Sequence, residues 1–147
     1  MQRQMLKSKI HRATITDCDV DYVGSITLDP ELMRQADLLP NEQVHVWDID
    51  SGSRFVTYAI EGEPGSGTVQ VNGAAARLVR KGEKVIVASF GSFDEEDLIR
   101  YSPIVVHVDD RNSVVAVDSD PSVLLAAHPD QEAFPMGGPY GATERMR

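Results

Sequence analysis

DYVGSITLD, residues 21–29, reads as a strand interrupted at its middle. Val23, Ile26 and Leu28 are residues a packed sheet would take, yet Gly24 and Ser25 stand between them. Glycine inside a strand weakens it and marks a bulge, or a place where another group approaches the backbone closely. Serine at position 25 has no evident packing value. Gly-Ser is a common dipeptide, so a bulge or a hairpin corner accounts for it without any chemistry. The surrounding residues have to separate the two readings.

Short β-rich runs lie on both sides. They are HRATIT (11–16), YVGSITL (22–28), QVHVWDID (43–50), RFVTYAIEG (54–62), GTVQVNG (67–73) and KVIVASF (84–90). Turn residues bound them, among them SGS (51–53), EPGSG (63–67) and RKGE (80–83). DPELMRQADLL (29–39) opens with an Asp cap and a Pro at the first helical position, and spaces Leu32, Ala36 and Leu39 for one helix. Shorter helical turns are expected at 73–79, after Asn72, and in FDEEDLIR. Asn41-Glu42-x-Val44-x-Val46 is echoed by Gly82-Glu83-x-Val85-x-Val87. Two interlocked copies of such a unit would close a six-stranded barrel with no open edge. A further hairpin, IVVHVDDRNSVVAV (104–117), turns at Asp110-Arg111-Asn112, and from about 118 the chain reads as a mobile tail.

A chain of 147 residues with 41% hydrophobic content supports one domain with a real core. Its net charge of −9, without a Lys/Arg stripe, argues against a nucleic-acid partner, including the DNA regulators built on swapped-hairpin barrels. The N-terminal MQRQMLKSKIHRATI is too poor in apolar residues for a signal peptide, and no run is long enough for a membrane span, so a cytoplasmic protein is expected. Cys18 is the single cysteine and reads as a small buried hydrophobe. His11, His45, His107 and His128 are scattered without a second ligand at a useful interval, so no metal site is expected. EPGSGT lacks the lysine and helix of a phosphate loop, and Ser25 lacks the glycine-flanked elbow of a hydrolase serine.

What remains is a set of polar residues on apolar strands: Lys9 and His11, Tyr22 to Ser25, Arg54 to Tyr58, and Asn72 to Ala75. Together with MLKSKIHRATIT, YVGSITLD, NEQVHVWDI, GSRFVTYAIEGEPGSG, VNGAAARL and KGEKVIVASF, they make the chain from Met1 to about Val117 resemble the pyruvoyl-dependent aspartate 1-decarboxylases. In that family a proenzyme cuts itself at a Gly-Ser bond. The resemblance places the cut between Gly24 and Ser25, giving chains 1–24 and 25–147. It implies that Ser25 Oγ attacks the Gly24 carbonyl and that elimination and hydrolysis leave a pyruvoyl group, which forms a Schiff base with aspartate. Gly24 suits the cut because a residue without Cβ tolerates strained dihedrals.

The same resemblance gives Thr57 a part in cleavage and substrate binding, Tyr58 that of proton donor, and Gly73, Ala74 and Ala75 contact with substrate. Lys9 and Arg54 are the candidate cations for the substrate carboxylates, and His11, Tyr22 and Asn72 are supporting residues. Each has a plainer reading: Tyr58 a core aromatic, Arg54 a solvated arginine, Asn72 a helix cap. Strand alternation also sets Thr57 and Tyr58 on opposite faces, which a site between subunits could reconcile. The expectation is therefore an all-β protein with short helices, a six-stranded double-psi β-barrel over 1–117 and a tail over 118–147. By resemblance it is a homotetramer that converts L-aspartate to β-alanine and CO2 for pantothenate synthesis. It would use no pyridoxal phosphate or metal, and a maturation factor is possible. A pyruvoyl decarboxylase of another amino acid, or a barrel that only binds, are the alternatives.

Overall fold

The computed structural model describes residues 1–122, and the expected tail beyond them lies outside the described residues. The protein is mainly β. Among the described residues nine strands are formed: β1 (Arg3–Thr14), β2 (Asp17–Asp19), β3 (Ile26–Leu28), β4 (Gln43–Asp48), β5 (Arg54–Glu61), β6 (Val69–Asn72), β7 (Lys84–Phe93), β8 (Ile104–Val108) and β9 (Val114–Asp118). Two short helices, α1 (Pro30–Gln35) and α2 (Glu95–Ile99), and a 3-10 turn over Gly73–Arg77 complete it.

The strands form one sheet in the order β2-β6-β3-β5-β4-β7-β1-β8-β9. Only Ile15 and Thr16 separate β1 from β2, so a single run of chain pairs with β7 at one end and β6 at the other. Between those pairings, Ile15 N–H donates to Glu83 O (2.9 Å) and Thr16 N–H to Val69 O (2.8 Å). The β8–β9 hairpin, expected from its sequence, is added outside β1. The valines of the alternating runs fill the centre: Val44, Val46, Val69, Val71, Val85 and Val87 are buried with Ile10, Ile26 and Leu28.

The internal echo is real at the level of hydrogen bonds. Asn41 N–H donates to Ala59 O (2.7 Å) and Ala59 N–H to Glu42 O (3.0 Å); Gly82 N–H donates to Ile15 O (2.8 Å) and Ile15 N–H to Glu83 O (2.9 Å). Glu42 Oε1 caps Leu39 N–H (3.0 Å) as Glu83 Oε1 caps Arg80 N–H (2.6 Å). Asn41 and Gly82 share a positive φ, at 71° and 90°. Val46 pairs directly with Val87, so an approximate two-fold axis passes between β4 and β7. On the far side Thr27 pairs with Gln70, and Gly24 and Gly67 occupy matching places ahead of them, again with positive φ.

Three boundaries differ from the sequence reading. YVGSITL is a strand only from Ile26; residues 20–25 form a turn, because Gly24 takes φ +110°, which a strand does not accommodate. His11 to Thr14 of HRATIT end a longer strand from Arg3, since β7 runs on to Phe93 and pairs with most of it across two register shifts, while Ile15 and Thr16 link it to β2. Helix α1 stops at Gln35, short of Leu39: Asp37 turns at φ +52° and Leu38 N–H folds back onto Met33 O (2.8 Å).

Asp29 ties this turn to the rest. Its buried carboxylate caps α1 at Glu31 N–H (2.9 Å) and also accepts from Gly65 N–H (3.3 Å) and Gly67 N–H (2.9 Å). Desolvation works to raise its pKa, but the three N–H groups outweigh it and hold the carboxyl below its ordinary value. A depressed carboxyl stabilises the fold above the unfolded pKa and loses that contribution as pH falls through the folded one. Asp29→Ala should therefore lower unfolding free energy by about 2 kcal/mol at neutral pH. The difference from the parent should narrow in acid, as urea unfolding across that range would measure.

Candidate active site

Ser25 opens the short strand β3 and is 4% exposed, with an Oγ that meets no hydrogen-bond partner among the described residues. A buried hydroxyl without a partner is disfavoured and marks a group held for another purpose. Its backbone is fixed, because Asn72 N–H donates to Ser25 O (2.9 Å). Beside it lies a cavity of about 500 Å³ lined by Gly24, Ser25, Phe55, Val56, Thr57, Tyr58, Asn72, Gly73, Ala74, Ala75 and Leu78.

The glycines let three backbones meet. A Cβ on Gly24 would lie 3.2 Å from Tyr58 Oη, so that hydroxyl sits against the Gly24 backbone. A Cβ on Gly73 would stand 3.4 Å from Gly24 O, and Gly73 itself has φ +63°. Any larger residue at either position would strain the turn and crowd the Gly24–Ser25 peptide.

Thr57 and Tyr58 come together here although neighbours on a strand point to opposite faces. The cause is strand pairing. β4 covers one edge of β5 from Arg54 to Tyr58, but β3 pairs on the other edge only with Ala59 to Glu61. The uncovered edge of Phe55 to Tyr58 opens onto the cavity, which reaches side chains of both faces. Asn72 occupies the cap position of the 3-10 turn without a capping side-chain bond. Its amide instead donates to Thr27 Oγ1 (2.9 Å) and accepts from Gln70 Nε2 (2.8 Å), bracing β6 against β3.

Other expected residues stand elsewhere in the chain. Lys9 lies on β1, where Nζ donates to Pro121 O (3.1 Å); desolvation pulls its pKa down against the opposing pull of Asp118 and Asp120. His11, also on β1, meets the buried His107 edge-on at 6.0 Å, and His107 Nε2 is 2.8 Å from Asp118 Oδ2. Arg54 is exposed, its guanidinium 5.4 Å from the Trp47 ring centre, and the Tyr22 side chain faces outward from the turn. Phe55, Val56 and Leu78 line the cavity and were not expected there; the uncovered edge that admits them exists only once β3 is seen to be short. Cys18 is half-buried rather than buried, with Sγ 3.8 Å from Val79 O.

A family model described as aspartate decarboxylase matches residues 1–115. The chain belongs to the aspartate decarboxylase family. It is 58% identical over 112 residues to the aspartate 1-decarboxylase of Syntrophotalea carbinolica, covering 76% of this chain and 86% of that one. It is 53% identical over 131 residues to the aspartate 1-decarboxylase of Mycolicibacterium smegmatis, covering 89% and 96%. Among solved structures, a computationally designed protein, msDPBB_sym2, aligns with 58% of this chain and 96% of its own at 16% identity and a TM-score of 0.36. The family match spans every segment that lines the cavity.

Asn72→Ala should destabilise the protein by about 1–3 kcal/mol, by leaving buried polar partners unmet. Thermal or urea unfolding in a Ser25→Ala background would measure this free of any processing at position 25.

Proposed function

We propose that this chain is an aspartate 1-decarboxylase that cleaves itself between Gly24 and Ser25 and makes its electrophile from Ser25. The observation that carries the reading is the buried, unpartnered Ser25 Oγ beside a positive-φ glycine, in a cavity shared with Thr57 and Tyr58. Membership of the aspartate decarboxylase family supplies the substrate. A pyruvoyl group fits position 25: the Ser25 side chain is buried, Ser25 O is held by Asn72 N–H, and the open cavity gives a small amine access.

Ser25 Oγ attacks the Gly24 carbonyl carbon, and the C–N bond breaks as the C–O bond forms, the freed nitrogen keeping the hydroxyl proton. Loss of the Ser25 α-proton then breaks the Cβ–O bond and releases Gly24 as a carboxylate. Water replaces the nitrogen of residue 25, which leaves as ammonia. Thr57 supports the first step by donating to the Gly24 oxygen. A pyruvoyl group held at position 25 would supply an electrophilic carbonyl for the substrate amine and an electron sink for decarboxylation. Tyr58 returns a proton to the α-carbon, and the N–H groups of Gly73 to Ala75 orient the substrate. Phe55, Val56 and Leu78 offer the departing carboxylate an apolar wall, where few ionic contacts oppose its loss.

Among the described residues of one chain no charged side chain lines the cavity, although the substrate carries two carboxylates. Lys9 and Arg54 are assigned to those carboxylates in a homotetramer whose sites lie between subunits. Exposed Val23, Val56, Tyr58, Leu78 and Phe90 would be covered there. The core is read as a six-stranded double-psi barrel over residues 1–117. Support for it comes from β2 continuing β1 and from the matched bonds of the two halves. Asp118 ends β9, so the chain beyond that strand is read as the appended tail; cleavage is read as spontaneous or assisted by a partner, and the enzyme as cytoplasmic. No helix among the described residues is long and apolar enough to cross a membrane.

Intact-mass spectrometry tests the cut: fragments of 24 and 123 residues are expected, together about one mass unit heavier than the precursor. Ser25→Ala should remain a single chain and release no CO2 from aspartate; an active, uncut Ser25→Ala protein would overturn the reading. Tyr58→Phe should still be cut, yet lose about 10²- to 10⁴-fold in decarboxylation rate.

A further inference from the structure

Away from the Ser25 cavity, the turn after β4 and the turn before β7 bring together Asp48, Asp50 and Glu83, with one oxygen of each within 4.8 Å of the others. A surface trio of acids means little by itself. Here, however, Asp48 is 3% exposed and only half of its carboxylate is used. Its Oδ1 accepts from Asp50 N–H (2.8 Å) and Ser51 N–H (2.9 Å), while Oδ2 meets no partner among the described residues. Glu83 commits Oε1 to Arg80 N–H (2.6 Å) and Asp50 commits Oδ2 to Lys84 N–H (2.8 Å), leaving one oxygen on each. The Lys84 ammonium is engaged with Thr14 Oγ1 and Asp110 instead. Among the described residues no ion pair reaches the trio.

The internal repeat provides a control. Glu42 is the counterpart of Glu83 and caps its turn in the same way, but Lys7 Nζ lies 2.6 Å from its Oε2. In one half of the protein a lysine meets the charge; in the other the glutamate faces two more carboxylates. Burying a carboxylate oxygen against like charge without a cation is costly. The Glu83 carboxyl is pushed up, first by the hydrogen bond its protonated form can give the facing Asp48, then by desolvation, and last by the charges of Asp48 and Asp50.

We propose that Asp48, Asp50 and Glu83 form a binding site for a hard divalent cation of the Ca2+ or Mg2+ class. The donors are all oxygen, which suits those ions rather than zinc or copper. Asp50 is exposed and Glu83 half-buried, so an entry path is open and water can complete the coordination. The ion would tie the end of β4 to the start of β7, beside the ladder that joins the two halves.

The chain's single tryptophan, Trp47, adjoins Asp48 and can sensitise Tb3+ emission. Chelator-treated, full-length protein titrated with Tb3+ should give a saturable signal at one ion per chain, displaced by Ca2+ or Mg2+. Asp48→Asn and Glu83→Gln keep an oxygen for the turn bonds and should weaken Tb3+ binding at least tenfold; Glu42→Gln should not. Ca2+ or Mg2+ should also raise the melting temperature of the parent but not of Glu83→Gln. If Asp48→Asn does not fold, the half-buried Glu83 position carries the test. Absence of a displaceable signal, parent-like binding by the variants, or equal loss in Glu42→Gln would overturn the site. A proton shared by Asp48 and Glu83 would then balance the charge.

Discussion

The pairing of β4 with β7 at Val46 and Val87 is the constraint on which the rest depends. Each half of the repeat is too small to bury a core alone, and each would present bare strand edges. Joined about this ladder, the halves supply the second layer that Val44, Val46, Val85 and Val87 need in order to be buried. The same symmetry fixes the turns, because the Glu42 and Glu83 carboxylates cap them in the same way and their backbone carbonyls accept from Ala59 and Ile15. Most of the architecture follows from edges and apolar faces that have only one way to be covered.

The cavity follows from where this pairing stops. β3 is three residues long because Gly24 turns the chain just before it, and a short β3 leaves β5 uncovered from Phe55 to Tyr58. One conformational choice at Gly24 thus produces both the turned Gly24–Ser25 peptide and the opening that brings Thr57 and Tyr58 to it. Its counterpart Gly67 turns likewise, but there the Arg111 carbonyl fills the space a Cβ would need, and Asn112 Nδ2 donates to Gly67 O (2.7 Å). The β8–β9 hairpin closes over the second glycine and leaves the first open, so the two halves carry different chemistry on similar backbones.

Much of the fold was legible in the sequence for a local reason. Period-two valines, Gly/Ser/Pro turns and the Asp29-Pro30 helix start act within a few residues, and the strands from Gln43 to Asn72 appear close to where they are read. The candidate residues Gly24, Ser25, Thr57, Tyr58 and Asn72 to Ala75 line one cavity. The length of β1, the existence of β2 and the early end of β3 were not legible, because each is set by a partner strand distant in sequence. Lys9 and Arg54 both stand outside that cavity in the single chain.

What the sequence by itself determined is the inventory: alternating apolar strands, two matched Glu-Val-Val units, a Gly-Ser step, and a family resemblance across Met1 to about Val117. What only the tertiary structure decided is which of these groups are satisfied and which are not. Among the described residues Ser25 Oγ and Asp48 Oδ2 are buried without partners, while Glu42 has Lys7 and Asp29 has three N–H donors. The physical reason is range. Periodicity and capping are written in neighbouring residues, whereas desolvation and hydrogen bonding depend on strands that meet only after the chain has folded.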